Sequence, residues 1–259
     1  MEVNKIYNEN NLETTAKMPD CFVDLTVTSP PYDNLRIYNG YSFDFENIAK
    51  ELFRVTKIGG VVVWVVGDST INGSETGTSF KQALYFKEVG FNLHDTMIYQ
   101  KQNYVPLTHN RYEQEFEYMF IFSKGKPTTF NPQYLKCETS GSYNLRRKGY
   151  KIDGASVRRR DEITTTKNEK FRSNIWMYPV GSSETSHPAP FPEDLARDHI
   201  YSWSNEGDLI FDPFGGSGTT AKMAHLQKRN WIISEISSEY CKMAEKRLQP
   251  FLSQQTLQF

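Results

Sequence analysis

The sequence predicts an α/β fold, a mostly parallel sheet covered by helices, and two observations carry the prediction. β-Branched apolar runs alternate with amphipathic segments along most of the 259 residues. A polar, basic stretch between about 124 and 174 breaks the alternation once, and then it resumes. The length suits one large α/β domain carrying an insertion.

The elements follow in order. Val23–Thr28 is the first clear strand. Residues 44–57 place Ile48, Ala49, Leu52, Phe53 and Val55 on one side, with Asp44 and Glu46 in the first turn, the pattern of a helix. Gly59-Gly60 is expected to end that helix, and 61–66 is apolar throughout, as in a buried central strand. A second helix is expected over 79–89, closed by Gly90, with strands at 92–99 and 117–122. After His187-Pro188-Ala189-Pro190-Phe191-Pro192 come a helix at Glu193–Trp203, a strand at 208–211, a helix at 219–228, a strand at 231–234 and a last helix at 238–248.

Composition excludes several classes. Three widely separated cysteines (Cys21, Cys137, Cys241) have no metal-ligand spacing and fit a reducing cytoplasm rather than a disulfide framework, so no metal is expected. The apolar run at 61–66 is too short to cross a bilayer. Glu2 and Lys5 stand where a signal peptide would be apolar, so a cytoplasmic location is expected. A net charge of −1 gives no overall sign of nucleic acid. From Arg146 to Arg172, however, ten Lys or Arg face four acids, a local +6 that leaves −7 on the remainder. This run, interleaved with Tyr143, Tyr150 and Phe171, reads either as a solvated loop or as a phosphate-binding insertion.

Two loops carry chemistry. The first strand leads into Thr28-Ser29-Pro30-Pro31-Tyr32. Consecutive prolines fix two φ angles, remove two backbone donors and push the preceding residues into extended backbone. A stiff loop at the carboxyl end of a strand can grip a flat group bearing an amine. Oxygens accept its N–H bonds while the Tyr32 ring stacks on its face. An ordinary strand stop is the alternative.

The second loop is Asp212-Pro213-Phe214-Gly215-Gly216-Ser217-Gly218-Thr219-Thr220, between a strand and a helix. Its glycines permit tight turning and close approach to a ligand. A P-loop is excluded because no Lys precedes the hydroxyl pair, and a full dinucleotide fingerprint is absent. Glu235, about twenty residues on at the end of the next strand, can accept two ribose hydroxyl hydrogen bonds. A nucleoside without phosphates points to S-adenosyl-L-methionine, with Asp212 available to its cationic amino-acid end. A solvated acid at a helix start is the alternative for Glu235.

Together these residues resemble the amino-methylating DNA methyltransferases. That family combines an (Asp/Asn/Ser)-Pro-Pro-(Tyr/Phe) catalytic motif with an Asp-Pro-Phe-x-Gly-x-Gly-Thr-Thr cofactor loop, matched here by Ser29-Pro30-Pro31-Tyr32 and by residues 212–220. Catalytic motif first and cofactor loop last is the order of the β group. The segment with His187, Pro188 and Phe191 resembles the part that closes over the methionine end of the cofactor. Glu117-Tyr118 with Ser123-Lys124-Gly125-Lys126 resembles the strand before the target-recognition insertion.

The resemblance implies a doubly wound, Rossmann-like methyltransferase sheet. It divides the chain into a catalytic half at 1–123, a target-recognition insertion at 124–174 and a cofactor-binding half at 175–259. It implies that Thr28, Asp212, Pro213, Phe214, Gly216, Ser217, Gly218, Thr219 and Glu235 contact S-adenosyl-L-methionine. Near the N-terminus, where the family often has an acid for the adenine amine, this chain presents Asn10. The basic residues Arg146, Arg147, Lys148, Arg158, Arg159 and Arg160 then fall where double-stranded DNA is read, and the three later arginines can donate to guanine edges. The short insertion implies a short target or a homodimer sharing the DNA. A cognate restriction endonuclease acting separately, and a prokaryotic or phage origin with nucleoid association, are further expectations.

The implied reaction is direct methyl transfer to the exocyclic amine of a flipped base. Ser29 Oγ and the Pro30 carbonyl accept from the amine, and no covalent base adduct forms. Methylation at cytosine carbon 5 is disfavoured because nothing near Cys21 activates a thiol, and Cys21 reads as a strand-edge core residue. Serine in the first motif position resembles the cytosine-N4 enzymes, with adenine N6 as the alternative. Non-catalytic DNA binders and RNA or protein-glutamine methyltransferases are less favoured. The latter usually place the cofactor loop first.

Overall fold

From the N-terminus, the computed structural model runs β1 (Lys5–Tyr7), α1 (Asn11–Ala16), β2 (Val23–Thr28), α2 (Phe45–Val55), β3 (Thr56–Val66), β4 (Thr70–Ile71), β5 (Ser74–Glu75), α3 (Thr78–Val89), β6 (Asn92–Lys101) and β7 (Phe116–Ser123). There follow β8 (Tyr134–Lys136), β9 (Tyr143–Arg147), β10 (Asp161–Thr165), β11 (Glu169–Phe171), β12 (Ile175–Tyr178), α4 (Glu193–Trp203), β13 (Leu209–Asp212), α5 (Thr219–Leu226), β14 (Asn230–Ser234) and α6 (Ser238–Gln254). The described residues are 1–31, 43–103, 110–138, 143–147, 161–165, 167–180 and 192–254, with backbone alone at 143–147, 161–165 and 254. They form two units, Met1–Asn131 with Asn174–Phe259, and Pro132–Ser173.

The large unit is built on an eight-stranded sheet in the order β1-β14-β13-β2-β3-β7-β6-β12. β7 runs antiparallel to β3 and β6, and every other pair in this sheet is parallel. Alternation along the central strands buries both faces. Val61, Val63 and Val65 pack with Leu195, Ile200, Ala221, Ala224, Ala244 and Leu248 from α4, α5 and α6. Val62, Trp64 and Val66 pack with Ile48, Leu52, Ala83 and Phe86 from α2 and α3. Helices on both faces make the sheet doubly wound and Rossmann-like.

The small unit has two antiparallel ribbons, β8 with β11 and β9 with β10. On the first, Tyr134 and Phe171 are exposed cross-strand partners with ring centroids 5.3 Å apart.

Two local expectations are corrected. Gly59-Gly60 does not stop α2. The helix ends at Val55, Thr56 turns to extended backbone, and both glycines lie inside β3. Gly59 (φ +83°) sits where a Cβ would come within 2.3 Å of Thr128 Cγ2, so the pair serves close backbone approach rather than helix capping. Thr128 N in turn donates to the Gly59 carbonyl, and Asn131 N to the Ser202 carbonyl. The residues just after β7 therefore belong to the large unit, which is why the small unit starts at Pro132. Second, Cys21 is not a core residue. It is exposed at φ 54°, in the turn between α1 and β2, tied through its N–H to the Arg54 carbonyl.

Candidate active site

The chain leaves β2 towards β3 on one side, and β13 towards β14 on the other. β13 and β2 are themselves paired, Ile210 with Leu25 and Phe211 with Thr26. Their carboxyl ends mark the topological switch point, where open α/β sheets hold ligands. Ser29-Pro30-Pro31 emerges from one strand and residues 213–218 from the other, so two loops far apart in sequence stand side by side. Pro30 is buried, while Ser29 and Pro31 are half-buried.

Asp212 joins the two strand ends. Its Oδ1 accepts from Thr28 Oγ1 at 2.6 Å and from Phe214 N at 3.0 Å, and its Oδ2 accepts from Thr220 Oγ1 at 2.7 Å. Burial pushes its carboxyl above the usual range, partly offset by these three donors. Asp212 and Thr28 are both buried and turned to one another, so the structure gives them a bracing role between β2 and β13.

The glycine loop turns through left-handed backbone at Gly216 (φ 49°) and Gly218 (φ 80°), which glycine adopts without strain. Gly215 is required for a different reason, since a Cβ there would lie 2.8 Å from Ile233 Cβ. Glu235 closes the loop against β14. Its Oε2 accepts from Gly216 N at 2.8 Å and its Oε1 from Ser237 N at 2.7 Å. Burial raises the Glu235 carboxyl above its ordinary value, the amides of Ser237 and Gly216 pull it back, and nearby Asp212 adds to the rise. Each carboxylate oxygen has a second lone pair that can take a ribose hydroxyl.

The N-terminal segment forms a third side of the crevice, an arrangement that rests on β1 pairing with β14, Tyr7 opposite Ser234. Asn8 Nδ2 donates to the carbonyls of Glu235 and Ile236 at 2.8 and 3.1 Å. Asn10 spends its side-chain oxygen on capping α1, accepting from Leu12 N at 2.9 Å. Asn11 Nδ2 donates to the Pro213 carbonyl at 3.3 Å, while its Oδ1 is buried and has no hydrogen-bond donor among the described residues. Asn11 thus presents a buried acceptor beside the Pro213 carbonyl, a residue the sequence analysis did not single out. A one-residue choice between Asn10 and Asn11 depends on where α1 begins.

Tyr32, His187, Pro188, Phe191, Lys148, Arg158, Arg159 and Arg160 lie outside the described residues. Arg146 and Arg147 lie on β9, in register with Glu162 and Asp161 of β10. Among the described residues, no helix is long and apolar enough to cross a membrane.

Comparison with known proteins agrees with this geometry. A family model described as DNA methylase, of the N6/N4 type, matches residues 23–246. The orphan methyltransferase M.BamHII of Bacillus amyloliquefaciens is 59% identical over 244 residues, covering 90% of this chain and 91% of that protein. Type II methyltransferase M.BglII of Bacillus subtilis is 25% identical over 253 residues, 93% of this chain and 68% of its own. Among solved structures, the cytosine-N4-specific PvuII DNA methyltransferase shares the fold with a TM-score of 0.70 at 19% identity, covering 96% of this chain and 91% of that one. A DNA modification methylase of Thermus thermophilus, complexed with S-adenosyl-L-methionine, shares it at 0.64 and 23% identity, covering 95% of each chain. The family match over most of the length and the close Bacillus relative give one conclusion: this chain belongs to the N6/N4 family of DNA methylases.

Proposed function

We propose that this DNA amino-methyltransferase moves the methyl group of S-adenosyl-L-methionine to the exocyclic N4 of a cytosine flipped out of duplex DNA. One observation carries the reading. The Ser29-Pro30-Pro31 loop and the glycine loop leave adjacent, mutually braced strands, with Thr28 and Asp212 2.6 Å apart at the junction.

An exocyclic amine is a weak nucleophile because its lone pair is delocalised into the ring. Ser29 Oγ and the Pro30 carbonyl, accepting from its two N–H groups, return density to the nitrogen. Tyr32 stacks on the base and aims the nitrogen at the sulfonium methyl. The N–C bond forms in line as the S–C bond breaks, S-adenosyl-L-homocysteine leaves and the surplus amine proton passes to solvent. The step is governed by positioning and local dipoles, with no covalent bond between enzyme and base. On the cofactor side, the methyl donor lies across the strand ends. Its ribose is held by Glu235, and its backbone contacts come from Pro213, Phe214, Gly216, Ser217, Gly218 and Thr219. Its adenine amine is taken by Asn11 in place of Asn10. His187, Pro188 and Phe191 close over the methionine end.

Serine at position 29 favours cytosine. A neutral hydroxyl leaves more of the work to the backbone carbonyl than an aspartate would. Adenine N6 is the alternative. Nucleoside mass spectrometry of DNA treated with the protein and S-adenosyl-L-methionine decides it: N4-methylcytosine is expected, and N6-methyladenine alone overturns the choice of base.

The residues at 124–174 form the target-recognition part, with Arg146, Arg147, Lys148, Arg158, Arg159 and Arg160 on DNA. Charge reversal at 158–160 is expected to weaken DNA binding and its salt dependence while cofactor binding stays unchanged. The orphan designation of the Bacillus amyloliquefaciens relative favours a methyltransferase that acts without a cognate endonuclease over one tied to a restriction system.

A further inference from the structure

A loop containing Gly215, Gly216 and Gly218 has high backbone freedom when nothing restrains it, and freedom lost on binding weakens affinity. The inner side of this loop is held by Asp212 and Glu235. Its outer side is held from α6. That helix packs tightly there, since a Cβ on Gly218 would come within 2.9 Å of Ala244 Cβ. Three residues further along the same helix, Arg247 Nη1 donates to Ser217 O at 3.2 Å, Ser217 Oγ at 3.1 Å and Thr219 Oγ1 at 2.9 Å. Its Nη2 donates to Glu193 Oε1, the same oxygen that Lys222 Nζ reaches at 2.7 Å.

Glu193 is the first residue of α4, directly after Pro192. One guanidinium thus ties the cofactor loop to the start of the helix that follows residues 181–191. A planar fork can do this because its two nitrogens serve different partners at fixed angles, which an ammonium cannot reproduce. The two cations are largely shielded, with Arg247 and Lys222 side chains 20% and 17% exposed, while Glu193 is 38% exposed.

We infer that Arg247 is a positioning residue for the methyl donor: it presets the 215–219 backbone and fixes that loop to the base of α4, so that S-adenosyl-L-methionine binds a loop already shaped. This rests on the functional reading above. Arg247 touches neither the base nor the methyl group. Its loss therefore acts on cofactor affinity and leaves the transfer step nearly intact once cofactor saturates.

The test compares R247M, R247K and K222M with the unmodified protein, reading KM for S-adenosyl-L-methionine, kcat at saturating cofactor, and melting temperature with and without cofactor. R247M is expected to raise the cofactor KM about tenfold, the effect of losing hydrogen bonds worth roughly 1.4 kcal/mol, with kcat within about twofold. R247K is expected to fall between, since it keeps the charge and loses the fork. K222M breaks the other arm of the Glu193 pair without touching the loop, and its KM is expected to stay at the unmodified value. Equal melting losses in R247M and K222M, with cofactor KM unchanged in both, would show a purely structural ion pair and overturn the inference. If R247M does not fold, R247K against K222M gives the same decision. Failure of the unmodified protein to bind S-adenosyl-L-methionine sinks the functional reading instead. Binding by the unmodified protein with no change in the Arg247 variants sinks this inference alone.

Discussion

Thr28 Oγ1 donates to Asp212 Oδ1 across 2.6 Å, joining residues 184 positions apart at the carboxyl ends of β2 and β13. The bond fixes the start of the Ser29-Pro30-Pro31 loop relative to the start of the glycine loop. Removing it leaves a buried carboxylate oxygen short of one donor, which costs more than the bond itself contributes.

T28V is accordingly expected to destabilise the protein by about 1–3 kcal/mol, read from denaturant or thermal unfolding. It should also lower methyl transfer more than cofactor affinity. A variant as stable and as active as the parent would remove the bracing role.

In the proposed function Ser29 accepts from the exocyclic amine of the target base. S29A is expected to lower kcat by roughly a hundredfold or more, the scale for losing one aimed polar group at a reacting centre. Cofactor affinity by calorimetry should not change, because the Ser29 hydroxyl is assigned to the base and the cofactor to the neighbouring loop. A parallel loss of both would assign Ser29 to the cofactor site.

Asn10 and Asn11 separate cleanly. N10A is expected to cost about 0.5–2 kcal/mol of stability through the lost cap of α1, with little change in cofactor KM. N11A is expected to raise that KM, since Asn11 presents the unpaired oxygen and holds the Pro213 carbonyl. Reversed outcomes would return the adenine contact to Asn10.

Glu235 gives a pH dependence with a defined sign. Burial raises its carboxyl above the ordinary 4.5, so the folded chain keeps this proton to higher pH than the unfolded chain. Stability from this group is complete below the unfolded value and is lost as pH rises through the folded one. Ribose hydroxyls donate best to the ionised form, so cofactor affinity should increase over the same rise. Calorimetry at pH values rising from the ordinary carboxylate value is expected to show that increase, and E235Q is expected to flatten it. A pH-independent affinity in the unmodified protein counts against the ribose assignment.

The strands and helices with long apolar runs were legible from sequence because their periodicity is local. β2, the core of β3, α3, β7, α5 and β14 fall where that pattern puts them. The three-residue β1 and four-residue β12 were not legible, being too short to show a period. Gly59-Gly60 misled for a related reason: a glycine pair reads as a helix stop until the Thr128 side chain shows what its missing Cβ makes room for.

By itself the sequence determined the chemistry on offer: a proline-stiffened loop with a serine, a glycine loop, and an acid one strand later. These depend on residue types at short spacing, which the chain carries in any conformation. Only the tertiary structure decided how those groups are used. Asp212 turns inward to Thr28 and Thr220, Asn10 caps a helix beside an Asn11 whose Oδ1 has no donor among the described residues, and Arg247 reaches the loop from α6. Each of these is a hydrogen-bond choice between groups brought together by strand order and helix packing, and a spacing along the chain holds no record of it.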